Sequence, residues 1–345
     1  MERTAEDNPG EMGGLWAVPA AFTHPPAAAT PGLEIARGRR LGLGMTQIRR
    51  LGGLALASFL GLVPSLRSDV AGLPPRQSVT LFGQRIEYYD VGKGPAVVLL
   101  HGLGSSAKGD WGACILQLSA HHRVLAMDQL GFGASEKPVI DYGIQTWVDF
   151  LGEFLRVEKP GDFTLVGESL GGWIAAQYAV QALGQKPDAS PSTALPRPAR
   201  LVLVDAGGHR HLAEGLGAGG PGLSLAGSKA LLSAIYHDEA RSSDDAARAQ
   251  FALSLSKGDG WTIHSLLSNR SIVAECVDDK LGQITVPTLV VWGAHDQLVP
   301  IEDGRDFAAR IPRTRLVIIP GSGHAPGIEN PEGFLTAMDD FLGGP

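Results

Sequence analysis

The chain reads as an α/β fold: an eight-stranded, mostly parallel sheet with helices on both faces and a helical lid inserted after strand 6. Three observations predict it. From residue 78 onward, short aliphatic runs alternate with amphipathic stretches of helical period, the pattern of a parallel sheet covered by helices. Runs such as Ala96-Val97-Val98-Leu99-Leu100 are apolar at every position, as strands buried on both faces must be. The alternation breaks once, between Asp205 and Val286, where only helical material is found.

Residues 79–82 and 85–91 read as two strands joined tightly at Gly83-Gln84, a hairpin signal. Further strands are expected at 96–100, 123–127, 163–166, 200–204, 288–292 and 315–319. Helices are expected over 111–118, 144–157, 170–183, 302–310 and 332–342. Within the interruption they are expected over 227–236, 244–255 and 261–276. The core is thus assigned to 78–208 and 284–345, and residues 209–283 to the lid, since long excursions from a compact domain are usually functional. The Pro-rich stretch 185–198 reads as a surface loop.

The 345 residues are 44% hydrophobic and 19% charged, ample for a packed core. A net charge of −7 offers no basic stripe, so nucleic acid is not expected as a partner. Cys114 and Cys276 can make neither a disulfide framework nor a metal site.

Residues 1–44, rich in Ala, Pro, Gly and Arg, read as a disordered low-complexity extension. Residues 45–72 look like an export signal or anchor. Met45-Thr46-Gln47-Ile48-Arg49-Arg50 is basic, and an apolar run from Leu51 to Leu66 follows. That run is shorter than the roughly 20 residues that span a bilayer. Met45 is therefore the expected start. The protein is expected to be exported or anchored at its N-terminus, with a cytoplasmic location as the alternative. Any membrane association is expected through residues 45–66 alone.

The chemistry starts at Gly167-Glu168-Ser169-Leu170-Gly171, a G-x-S-x-G turn between an expected strand and an expected helix. Such a turn exposes the serine oxygen at a helix N-terminus, whose dipole favours negative charge. Ser169 is the expected nucleophile. A serine needs a base, and in this architecture the partners run Ser, acid, His along the chain. His324, in Gly321-Ser322-Gly323-His324 after the last strand, is the expected base. Asp296, in the loop closing the seventh strand, is favoured as the acid, with Asp205 at the end of the sixth as its rival. The oxyanion donors are expected to be the main-chain N–H groups of Leu170 and Leu103. His101 is expected to hold its loop by hydrogen bonds. With no metal-ligand spacing and no dinucleotide fingerprint, neither metal nor cofactor is expected.

These residues resemble the α/β-hydrolase superfamily. The carrying segments are Val97-Val98-Leu99-Leu100-His101-Gly102-Leu103-Gly104, Met127-Asp128-Gln129-Leu130-Gly131-Phe132-Gly133-Ala134-Ser135, the Ser169 turn with Gly172, Trp292-Gly293-Ala294-His295-Asp296 and the His324 loop. They follow the family's order over 79–342. Haloalkane dehalogenases and epoxide hydrolases of this superfamily carry Asp where Ser169 stands, so their carboxylate nucleophile is absent. The meta-cleavage-product (carbon–carbon bond) hydrolases share the serine and the Asp128-Gln129-x-Gly131-Phe132-Gly133 run. They usually have Pro-Gly where Ser105-Ser106 follow Gly104, and Trp where Ala325 follows the histidine. The cofactor-free haloperoxidase or esterase group shares the triad. The resemblance implies a serine carboxylesterase acting on a small apolar ester or related acyl substrate. The alternatives are a carbon–carbon bond hydrolase and a receptor-like member with little turnover.

Overall fold

The computed structural model describes residues 72–343 except 187–189, 191–193 and 216–222. The extension 1–44 and the apolar run 51–66 lie outside the described residues. Among the described residues no helix is long and apolar enough to cross a membrane.

The sheet has eight strands: β1 (Gln77–Leu81), β2 (Gln84–Val91), β3 (Ala96–Leu100), β4 (Arg123–Met127), β5 (Phe163–Glu168), β6 (Arg200–Val204), β7 (Thr288–Gly293) and β8 (Thr314–Ile319). Their spatial order is β1-β2-β4-β3-β5-β6-β7-β8. β1 and β2 form the antiparallel hairpin, and β2 pairs antiparallel with β4. Every pairing from β4 to β8 is parallel. The sequence places β4 after β3, whereas the structure inserts it between β2 and β3.

Successive strand residues feed opposite cores, as the period of two demands. Val98, Leu100, Leu165, Leu201, Leu203, Val290 and Trp292 join one cluster. That cluster also takes Trp147 and Phe154 of α2 (Ile144–Glu158), Ile174 and Tyr178 of α3 (Leu170–Gly184), and Phe307 of α8 (Ile301–Arg310). Val97, Leu99, Val124, Ala126, Val166, Val202, Val204 and Val291 join the other, with Trp111 of α1 (Ala107–Leu118) and Phe334 of α9 (Pro331–Leu342). The central strands are therefore mostly apolar, because both faces are covered.

Between β6 and β7 the chain forms α4 (Arg210–Gly215), α5 (Leu225–Ile235), α6 (Asp244–Ser256) and α7 (Gly260–Ser268), with 3₁₀ turns between and after them. The helix expected over 261–276 divides at Asn269. Its side-chain oxygen accepts from the Ser271 N–H, and its amide donates to the Tyr142 carbonyl 2.9 Å away. Both bonds hold the chain out of helical register, after which Arg270–Glu275 is 3₁₀. α1 starts earlier than its apolar pattern suggests, because Ser106 accepts from the Gly109 N–H and caps it. Glu275 ties the insertion to the core. Its carboxylate accepts from the N–H groups of Ile144 (2.8 Å) and Gln145 (3.0 Å), capping an α2 whose own N-cap, Gly143, has no side chain to offer. Both cysteines are free and buried.

Candidate active site

Ser169 sits between β5 and α3 with φ +54° and ψ −115°, a conformation that side-chain-bearing residues rarely adopt. The glycines at either side make it attainable. A Cβ on Gly167 would lie 2.1 Å from the Gly171 carbonyl oxygen, and one on Gly171 would lie 2.4 Å from that of Leu100. The strain is held by the Ser169 N–H donating to Val204 O (2.9 Å) and by the Ser169 carbonyl accepting from Gly207 N (3.0 Å). Ser169 is thereby moored to the C-terminal end of β6, where parallel sheets open toward ligands.

The loop after β3 lies against the serine: a Cβ on Gly102 would come 3.3 Å from Ser169 Cβ. Among the described residues, the N–H groups of Leu103 and Leu170 donate to no protein acceptor. Asp110 shapes this loop, accepting from the Gly102 N–H at 2.8 Å and from the Ser105 hydroxyl. His101 is fully buried. Its Nε2 accepts the Gln129 N–H (3.0 Å), which leaves Nδ1 to donate to Gly102 O (2.8 Å). The insertion presses on the same loop, with Lys257 Nζ donating to Gly104 O at 2.5 Å and Ile263 packing beside Gly104.

His324 Nδ1 lies 2.7 Å from Asp296 Oδ2, with His324 6% exposed. The other Asp296 oxygen accepts from the N–H groups of Leu298 (2.8 Å) and Val299 (3.0 Å), which fixes the carboxylate's orientation. Asp296 and His324 are thus brought together. Among the described residues no hydrogen bond joins Ser169 Oγ to His324, so that contact stands open here. Such bonds often tighten only when substrate binds.

Several groups around the site escape the sequence reading. The His324 N–H donates to Ile235 O at the end of α5 (2.7 Å). Glu329 gathers three amides, those of Gly323 (2.6 Å), His237 (2.7 Å) and Asp238 (3.0 Å). Gly323 permits that approach, since a Cβ there would meet Ile235 O at 2.3 Å. Glu168 is raised well above the usual carboxylate range by burial, then by the charges of Asp110, Asp205 and Asp296. Burial first, then Asp110 and Glu168, pushes the Tyr236 hydroxyl up to about 12. Several carboxyl groups thus gather near the serine turn. Nothing in the strand and helix periodicity reports them; only the fold brings them together.

Residues 97–337 match the model of the alpha/beta hydrolase family. The chain belongs to that family. Among family members it is 30% identical over 269 residues to a 2-hydroxy-6-oxo-2,4-heptadienoate hydrolase from Pseudomonas putida, covering 75% of this chain and 93% of that one. The structure is similar to a meta-cleavage product hydrolase from Pseudomonas fluorescens (TM-score 0.65, 27% identity, 77% and 97% of the two chains). It is also similar to a membrane phospholipase A described as a bacterial virulence factor (TM-score 0.64, 26% identity, 79% and 87% of the two chains).

Proposed function

We propose that this alpha/beta hydrolase is a serine esterase that cleaves uncharged carboxylic esters through an acyl-enzyme. The observation that carries the reading is the Ser169 turn, strained at φ +54° and held against the loop of Gly102, together with the His324–Asp296 hydrogen bond. Ser169 Oγ attacks the ester carbonyl carbon, and His324 Nε2 takes its proton. The carbonyl π pair moves to oxygen, where the Leu103 and Leu170 N–H groups receive it. Collapse breaks the carbon–oxygen bond, and His324 gives its proton to the departing alkoxide. Water then repeats the sequence on the acyl-enzyme and frees Ser169. Asp296 accepts from Nδ1–H throughout and stabilises the imidazolium.

The helices between β6 and β7 act in this reading as the lid that selects substrate. Leu231, Leu253 and Leu255 are exposed there, whereas Leu232 and Leu266 are buried.

Carbon–carbon bond cleavage of a dienoate is the second reading, favoured by the similarity to the dienoate hydrolase. A dienoate brings a carboxylate. Asp110 and Asp296 are among the carboxyl groups whose charge acts on Glu168, and negative charge there disfavours an anionic substrate. A panel of p-nitrophenyl esters of graded chain length beside a 2-hydroxy-6-oxo-dienoate separates the two. The ester reading predicts a higher kcat/KM on an ester; a higher value on the dienoate overturns it.

A further inference from the structure

Asp205 is wholly buried and ends β6 with φ +42°, in the left-handed region rarely used by residues with side chains. Two bonds to β7 hold it there. Its N–H donates to Val291 O (3.0 Å), and its Oδ1 accepts from the Gly293 N–H (2.8 Å). β7 is also the strand whose following loop carries Asp296. The second oxygen of Asp205, Oδ2, is sealed from solvent and meets no N–H or hydroxyl donor. One carboxylate oxygen of Asp205, one of Asp296 and a ring nitrogen of His324 lie within 4.8 Å of one another.

Two ionised carboxylates cannot share such a place cheaply, since like charges in a dry site repel strongly. One proton removes the repulsion and supplies the donor that the orphan oxygen lacks. Both oxygens of Asp296 already serve as acceptors, one from His324 and the other from two main-chain N–H groups, whereas Asp205 Oδ2 meets no donor. The proton therefore belongs on Asp205. Burial, then the Asp296 charge, raises Asp205 well above the usual carboxylate range; Glu329 pushes the same way, and the Gly293 N–H opposes it. Glu168 also lies close enough to interact with Asp205.

We propose that Asp205 is a positioning residue: a neutral carboxyl that donates its proton to Asp296 in a hydrogen bond and so fixes the carboxylate that orients His324. This rests on the serine-esterase reading. It also gives Asp205, the rival acid of the sequence, a role beside Asp296.

The test compares wild type with Asp205→Asn, which keeps a donor, and Asp205→Ala, which does not. kcat/KM for a p-nitrophenyl ester is measured across pH, and fluorophosphonate labelling of Ser169 checks the reading beneath it. Asp205→Asn should keep most of the activity. Asp205→Ala should lose roughly tenfold to a hundredfold in kcat, the scale of one hydrogen bond to a charged group. Its acid limb should also move to higher pH, because an unassisted Asp296 attracts the His324 proton more strongly. Infrared spectra at pH 7 should show a protonated-carboxyl band in wild type that weakens in Asp205→Asn, a readout that stands even where the Ala variant does not fold. Three results overturn the proposal: unchanged kcat and pH profile in Asp205→Ala, equal damage in both variants, or no infrared difference. Failure of Ser169 to label in wild type instead overturns the esterase reading.

Discussion

The main-chain N–H of His324 donates to the carbonyl of Ile235 at 2.7 Å, joining the loop of the proposed base to the end of α5. Glu329 fastens the same junction through the amides of Gly323, His237 and Asp238. The insertion therefore does more than cover the sheet: it helps set where His324 sits.

Removing the Glu329 carboxylate should disturb catalysis and stability together. Glu329→Ala strands three amides, and each hydrogen bond to a charged group contributes about 1.5–3 kcal/mol where buried, less at this half-exposed site. Differential scanning calorimetry should show a Tm lower by roughly 2–6 °C. kcat should fall more than KM rises, because His324 moves while most of the pocket stays. An unchanged kcat would separate Glu329 from the position of His324.

Glu168 gives the protein a pH-dependent weakness. Its carboxyl binds protons more tightly folded than unfolded, because burial first and then nearby carboxyl groups, Asp110 foremost, penalise ionisation. Between the unfolded value of about 4.3 and the raised folded one, the native state holds more protons, so stability falls as pH rises through that window. Glu168→Gln should therefore raise Tm relative to wild type near pH 8, and the gap should close toward pH 4. A gap that is the same at both pH values would show that ionisation of Glu168 carries no such cost.

The two cysteines should be inert in the native protein. Burial pushes the Cys114 thiol up to about 12, and burial, then Asp278, pushes Cys276 up to about 11, so neither offers thiolate near neutrality. Titration with a disulfide reagent should detect no fast thiol until denaturant is added, and two afterwards. One fast thiol under native conditions would contradict the burial.

The strands were legible because burial on both faces leaves an unbroken apolar run, and the break after β6 exposed the insertion. Chain order singled out Ser169, Asp296 and His324 as candidates at strand ends, and the structure brings Asp296 and His324 within 2.7 Å and strains the backbone at Ser169. The sheet order was not, because no residue pattern tells β2 to pair with β4 instead of β3. Nor were Glu329, Ile235 and the carboxyl groups around Glu168. Their roles arise from groups that the fold brings together, such as Glu329 with His237, 92 positions away. The cap on α2 is likewise invisible locally, since Glu275 reaches it across 131 positions.

In the proposed mechanism Ser169 carries the acyl group. Rapid quenching of the reaction with a p-nitrophenyl ester, followed by peptide mass spectrometry, tests this. An acyl adduct is expected on the peptide containing Ser169, and in Ser169→Ala no adduct and a kcat lower by roughly 10⁴-fold or more with the fold intact. An unacylated Ser169 during turnover, or full activity in Ser169→Ala, would contradict it.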